Sequence, residues 1–288
     1  MAQGGDAMGT IYLNGYFMPA EQAKIPVMDR GFLFGDGVYE VIPVFGGFCF
    51  RLAEHLERLD YSLREARITT SMSHAQWQQI FERLIELHGG GDQSLYLQIT
   101  RGVCAEREQR FSPDGKPTIF AMSRPRGAAR VLPDAVACIT LEDIRWLRCD
   151  IKTTSLLGNV LMSQMAVEAG ADEAILIRDG LVWEGASSNV FVVVGEVLYT
   201  APKGRYILGG ITRDLVVELA RQNGVDCREQ ALPLHAVAGA DEIWLSSSTR
   251  DLTPVTQLNG RPVGRGAPGP MLQSVWGWYR NFRQQLMR

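Results

Sequence analysis

The sequence predicts an α+β fold in two domains. Three observations carry that expectation. The chain has 288 residues, about twice a typical domain of roughly 150. Its strand-like segments pair around turn dipeptides, and its helices are segregated from them. No regular βαβ alternation runs along the chain, as a doubly wound or barrel fold would require. A run rich in Pro, Gly and Arg, RPRGAARVLP over 124–133, lacks periodicity and reads as a linker. It separates a smaller α+β domain over 1–123 from a larger domain over 134–288.

The elements follow in order. Residues 10–18 hold two apolar segments around Asn14-Gly15, the strongest short hairpin signal. Val38–Phe45 and Phe48–Phe50 flank Gly46-Gly47 as a second hairpin. Leu52, Leu56, Leu59 and Leu63 recur at helical spacing and predict an amphipathic helix over about 51–66. Ser73 and Gln76 form a capping box for a helix over about 74–87, which stops at Gly89-Gly90-Gly91. Ser94–Arg101 and Thr118–Ser123 read as strands. Beyond the linker, Ala135–Leu141, Glu173–Ile177, Val190–Val194 and Glu242–Ser246 are strands. Asn159–Ala169, Ile211–Gln222 and Met271–Met287 are helices. Residues 1–7 read as an extension ahead of the first strand.

Composition narrows the function. The net charge of −3 and the lack of a basic patch argue against nucleic acid as the main partner. The N-terminus has no signal-peptide pattern, and no apolar run approaches a membrane span of about 18 residues. Five scattered cysteines without a C-x-x-C pair point to a reducing, cytoplasmic setting. The four histidines show no metal-ligand spacing, so no metal is expected. Of 29 basic residues only four are lysines: Lys24, Lys116, Lys152 and Lys203. Lysine can lose its proton and act as a nucleophile, and arginine cannot.

Four segments could carry chemistry. Lys152 follows a moderately apolar, alternating stretch, where partial desolvation would lower its pKa and let it form a Schiff base. An ordinary surface lysine fits the same spacing. In GRYILGGITRD two glycines open a helix whose free N–H groups suit a small phosphate. A Gly-rich turn entering a surface helix fits equally. Glu184 ends an apolar strand, where a buried carboxylate needs a cationic partner and an exposed one does not. The hydroxyl run SSST over 246–249 could grip an anion or only end a strand. Together these are the parts of a pyridoxal phosphate site.

The chain resembles the fold-type IV pyridoxal phosphate enzymes, above all the D-amino acid aminotransferases. The matching blocks are DRGFLFGDGVYEV, EHLERL, EDIRWLRCDIK, EGASSNVF, LGGITRD and SSSTRDLTP, in family order. The resemblance implies that Lys152 holds the cofactor and moves the substrate proton. It implies that Arg58, Gly210, Ile211, Thr212, Ser247 and Ser248 hold the phosphate. Glu184 would keep the ring nitrogen protonated, Leu208 would pack on one ring face, and Ser187 and Ser188 would line the pocket. Tyr39 matches the tyrosine that grips the substrate carboxylate. The family's R-x-H pair, expected from a partner subunit, falls at Arg107 and Gln109, with Arg110 as an alternative arginine. Glutamine there adds no charge. The implied reaction is amino transfer between a D-alanine-like D-amino acid and a 2-oxo acid such as 2-oxoglutarate. Alternatives of the same fold are branched-chain L-amino acid aminotransferase, (R)-amine transaminase and aminodeoxychorismate lyase. A non-catalytic phosphate-binding scaffold is the reading from another class. The Gly-Thr-Ala run usual in the branched-chain enzymes is SSST here. The resemblance also implies a homodimer with its sites in the interdomain cleft, near an interface that Tyr96, Leu97 and Ile99 would suit.

Overall fold

The computed structural model describes residues 9–112, 115–127 and 132–286. The reading of residues 1–7 as an extension lies outside them, as does the middle of the expected linker. The described residues cluster into two compact units. One comprises residues up to 127 together with 151–155, and the other 132–150 and 156–286. Lys152 thus belongs to the first unit, although the linker position predicts 134–288 as a single domain.

The first unit is an antiparallel sheet covered on one face by two helices. Its elements are β1 (Thr10–Leu13), β2 (Tyr16–Pro19), α1 (Arg30–Phe34), β3 (Gly37–Phe45), β4 (Phe48–Cys49), α2 (Leu52–Ala66), α3 (His74–Leu87), β5 (Gln93–Thr100) and β6 (Thr118–Pro125). Strand order is β2-β1-β6-β5-β3-β4. The Asn14-Gly15 turn has φ of 47° and 101°, the positive pair that a two-residue hairpin requires. Ser73 accepts the Gln76 N–H and Gln76 returns the bond, completing the capping box of α3. Val38, Ile42 and Val44 of β3 pack with Leu95, Leu97 and Ile99 of β5 beneath Leu56, Leu59 and Leu63 of α2. Each fully buried leucine contributes about 2–3 kcal/mol. Ile151 joins this cluster, which explains why 151–155 belongs to the first unit.

Strand alternation corrects one expectation. Leu97 and Ile99 point into the core, 1% and 0% exposed, so they are not surface residues suited to an interface. Tyr96 alone of the three lies on the opposite, half-buried face.

The second unit contains β7 (Val136–Glu142), α4 (Leu157–Glu168), β8 (Glu173–Arg178), β9 (Leu181–Gly185), β10 (Asn189–Val194), β11 (Val197–Thr200), α5 (Ile211–Gln222), β12 (Cys227–Glu229), β13 (Leu232–Pro233), α6 (Leu234–Ala238), β14 (Glu242–Ser247), β15 (Asp251–Leu258), β16 (Arg261–Pro262) and α7 (Pro270–Leu286). Pairing runs β10-β14-β15-β7-β8-β9, and Asn189 pairs with Glu184 to link β9 back to β10. The strands therefore close into a ring, whereas the lack of βαβ alternation predicts against a barrel. Alternation is needed only for parallel neighbours, and most pairs here are antiparallel. Every strand of the ring contributes to one apolar cluster, including Cys138, Ile175, Val182, Val190, Ile243 and Val255. The sequence pattern does not predict β15, because Pro254 removes a ladder donor. The strand accommodates it beside a register irregularity between Val255 and Gln257.

Candidate active site

In the first unit the site is assembled on β3, α2 and the segment 151–155. Of the four lysines, Lys152 is the only one that is not exposed. Three bonds fix the backbone at and beside Lys152. Its carbonyl accepts from the Tyr39 N–H at 2.9 Å, its N–H donates to Ser62 Oγ at 3.2 Å, and the Thr154 N–H donates to the Gly37 carbonyl. Its Nζ lies 4.0 Å from the centre of the Tyr39 ring, within reach of the ring's negative face. Strand alternation puts the next residue, Glu40, on the core side, where it is fully buried. Arg58 donates to both its oxygens, from Nε at 2.8 Å and from a terminal nitrogen at 2.7 Å. His55 Nδ1 completes the set at 2.8 Å. Arg58 and His55 are one turn apart on α2, so both meet the same carboxylate. Burial works against the charge on Glu40, but the attraction and hydrogen bonds of Arg58 outweigh it and hold the pKa down to about 2. Burial lowers the pKa of His55.

A second charged group in this unit shapes the loop that follows β5. Asp36 accepts from Arg30 at 2.8 Å and from Arg101 at 2.8 and 2.9 Å. Arg30 then donates to the carbonyls of Glu108, Gln109 and Arg110. The loop bearing the expected carboxylate grip is thus held through its backbone, leaving its side chains outward. Arg107 and Gln109 are exposed, and Arg107 lies 5.0 Å over the Phe34 ring. Among the described residues, neither side chain bonds Tyr39 or Lys152.

In the second unit Glu184 is 3% exposed. Arg145 donates to it at 2.6 Å, the Leu208 N–H at 3.0 Å and Asn189 at 3.2 Å. Arg145 is held in turn by Asp143, which also receives Arg178. Burial pushes the Glu184 carboxyl up to about 7 against the pull of Arg145. The expected cationic partner is therefore present, and one arginine does not fully offset the desolvation. A cationic ring nitrogen beside Glu184 would lower its pKa.

The N-terminus of α5 starts at Ile211, behind Gly210, with no side chain capping it. A Cβ on Gly210 would lie 2.0 Å from Asn189 Oδ1, so a side chain there would have to displace that amide. Ile211 and Thr212 are buried in the first turn. Ser247 Oγ accepts from the Arg250 N–H at 3.1 Å and lies 3.2 Å from the Thr249 hydroxyl. Ser246, which faces Asn189 across the sheet, carries a buried hydroxyl with no partner among the described residues. Ser187 and Ser188 both bond the buried Glu173, whose other oxygen receives Arg250.

A model of the amino-transferase class IV family matches residues 37–258, a span that contains Lys152, Glu184, α5 and the serine run. The chain belongs to the class IV aminotransferases. It is 42% identical over 266 residues to the D-alanine aminotransferase of Bacillus licheniformis, covering 92% of this chain and 94% of that one. It is 38% identical over 270 residues to the D-alanine aminotransferase of Staphylococcus aureus, covering 93% and 95%. Among solved structures it superposes on the branched-chain amino acid aminotransferase of Escherichia coli with a TM-score of 0.91, at 26% identity over 98% of this chain and 96% of that one. It shares its fold with the branched-chain amino acid aminotransferase of Thermobaculum terrenum, solved in its PLP-form. The TM-score there is 0.87, at 24% identity over 98% and 95%.

A class IV aminotransferase is a pyridoxal phosphate enzyme. The residues present fit that cofactor. A glycine-bounded helix N-terminus and an unpartnered buried hydroxyl suit a phosphate. A buried carboxylate short of positive charge suits a pyridinium. Sequence reasoning missed Glu40, His55, Arg145, Asn189 and Glu173 as supporting residues. Four of them lie inside the matching blocks, but nothing in a single sequence shows which side chain each one meets.

Proposed function

We propose that this aminotransferase moves an amino group between a D-amino acid, with D-alanine as the first candidate, and a 2-oxo acid such as 2-oxoglutarate. The observation that carries this reading is the similarity to D-alanine aminotransferases over more than nine-tenths of the chain. When bound, pyridoxal phosphate supplies a carbonyl for an amine and an electron-withdrawing ring that stabilises negative charge at the substrate α-carbon. Lys152 Nζ holds the cofactor and carries the proton away from and back to that carbon. Glu184 keeps the proton on the ring nitrogen. Arg58, Gly210, the N–H groups of Ile211 and Thr212, the Thr212 hydroxyl, Ser247 and Ser248 hold the phosphate. Leu208 packs on a ring face, and Ser187 and Ser188 line the pocket. Tyr39 orients the substrate carboxylate, with Arg107 and Gln109 contributed by a partner subunit. Arg107 offers a fork for both carboxylate oxygens, whereas Gln109 offers one neutral donor.

The same reading makes the enzyme a cytoplasmic homodimer. Five free cysteines suit a reducing compartment. No described helix is long and apolar enough to cross a membrane. The branched-chain alternative is favoured by the close fold match to the branched-chain enzymes, and one experiment separates the two. The holoenzyme is mixed with single amino acids and its cofactor absorbance is followed. D-alanine bleaches the absorbance and 2-oxoglutarate restores it. Faster bleaching by L-leucine than by D-alanine would move the enzyme to the branched-chain reading, and no bleaching by any amino acid would overturn transamination.

A further inference from the structure

One buried carboxylate has no role in the chemistry above. Asp251 is 7% exposed and closes the three-residue turn 248–250 between β14 and β15, paired with Ser247. Its φ is +55°. A three-residue hairpin commonly ends in this left-handed conformation, which Asp and Asn adopt more readily than most other residues. Tyr279 donates its hydroxyl to Oδ1 at 2.9 Å, and Arg283 donates to Oδ2 at 3.3 Å. Both partners are buried, and both lie on α7.

The other end of α7 is tied to the same hairpin. Glu242, the first residue of β14, accepts the N–H groups of Met271 and Leu272 at 2.8 and 2.9 Å. The helix is therefore fastened to the hairpin at its base and at its tip. Within the turn the Arg250 N–H donates to Ser247 Oγ, which lies beside the Thr249 hydroxyl, and the Arg250 side chain reaches out to Glu173. The exit of the turn is held separately, at Asp251, by α7. A hydroxyl holds an anion only when aimed at it, because hydrogen bonds weaken steeply with angle.

We propose that Asp251, gripped by Tyr279 and Arg283, is a positioning residue for the turn that holds the cofactor phosphate, so that the C-terminal helix sets phosphate affinity. This rests on the assignment of Ser247 and Ser248 to the phosphate.

The test uses the full-length enzyme reconstituted with pyridoxal phosphate or with pyridoxal, which lacks the phosphate. Asp251→Asn keeps the left-handed residue and removes the charge, and Tyr279→Phe removes a single hydroxyl. Each is expected to weaken pyridoxal phosphate binding about tenfold, the size of one lost hydrogen bond to a charged group. Pyridoxal binding stays unchanged. Equal losses for both compounds would show a general structural role and overturn the proposal, as would unchanged pyridoxal phosphate binding in both variants. Ser248→Ala separates the two layers of the argument. If it binds pyridoxal phosphate normally, the phosphate assignment fails. If it binds weakly while the Asp251 and Tyr279 variants bind normally, the assignment stands and the positioning role fails.

Discussion

Glu184 and Glu40 are both buried carboxylates facing arginine, yet their environments push them in opposite directions. Glu40 faces a bidentate Arg58 with His55 alongside, and its pKa falls to about 2. Glu184 shares Arg145 with Asp143, so burial wins and its pKa rises to about 7. A carboxylate poised in this way suits a ring nitrogen that must stay protonated. Glu184→Gln should lower turnover roughly a hundredfold while the cofactor remains bound, as steady-state rates and retained absorbance would show. The pair on α2 makes a prediction about pH. Burial lowers the His55 pKa from its ordinary 6.5, so the unfolded state binds the extra proton. That contribution to stability is present above pH 6.5 and is lost as pH falls below it. Glu40, with its pKa lowered from an ordinary 4.5, adds a further loss as pH drops from there toward 2. In His55→Asn, urea midpoints should fall less steeply between pH 6.5 and 5 than in the wild type.

Elements aim these residues. β3 presents Tyr39 to one face and Glu40 to the other through simple alternation, and α2 brings His55 and Arg58 to Glu40 through its 3.6-residue period. At Gly210 the start of α5 lies close against Asn189 of β10. A methyl there would collide with Asn189, which also bonds Glu184 and the Leu208 carbonyl. Gly210→Ala should cost about 1–3 kcal/mol of stability and weaken cofactor binding, as thermal melts with and without pyridoxal phosphate would reveal. Elements also mark where the sequence was legible. The capping box, the Asn14-Gly15 hairpin and the start of α5 at Ile211 depend on residues within a few positions, so local patterns reveal them. The strand holding Pro254 and the strand ring of the second unit depend on distant partners, and local patterns do not show them.

At the scale of the whole molecule, α4 leaves Leu157, Val160, Leu161 and Met165 exposed at 71%, 58%, 47% and 46%. Ile144, Trp146 and Leu147 nearby in sequence are exposed at 59%, 49% and 55%. Exposed apolar groups of this kind are what an associating surface presents, so the homodimer proposed above would place α4 at its interface. Sedimentation should give about twice the 31.9 kDa chain mass. Leu161→Glu should shift the enzyme toward monomer, with activity then falling on dilution.

The proposed site residues stand out in the sequence because the resemblance runs through short blocks: a lysine after an apolar run, two glycines before a helix, a run of hydroxyls. Their partners do not. Arg58 meets Glu40 across 18 positions, Arg145 meets Glu184 across 39, and Tyr279 meets Asp251 across 28. The sequence by itself determined the periodic elements, their caps and turns, since these follow from backbone geometry and side-chain chemistry within a few residues, and it offered Lys152 as the proposed nucleophile only through the family resemblance. Only the tertiary structure decided which charges meet. Those encounters depend on the path of the chain, on burial that makes an unpaired charge costly, and on the few geometries in which a buried carboxylate finds its donors.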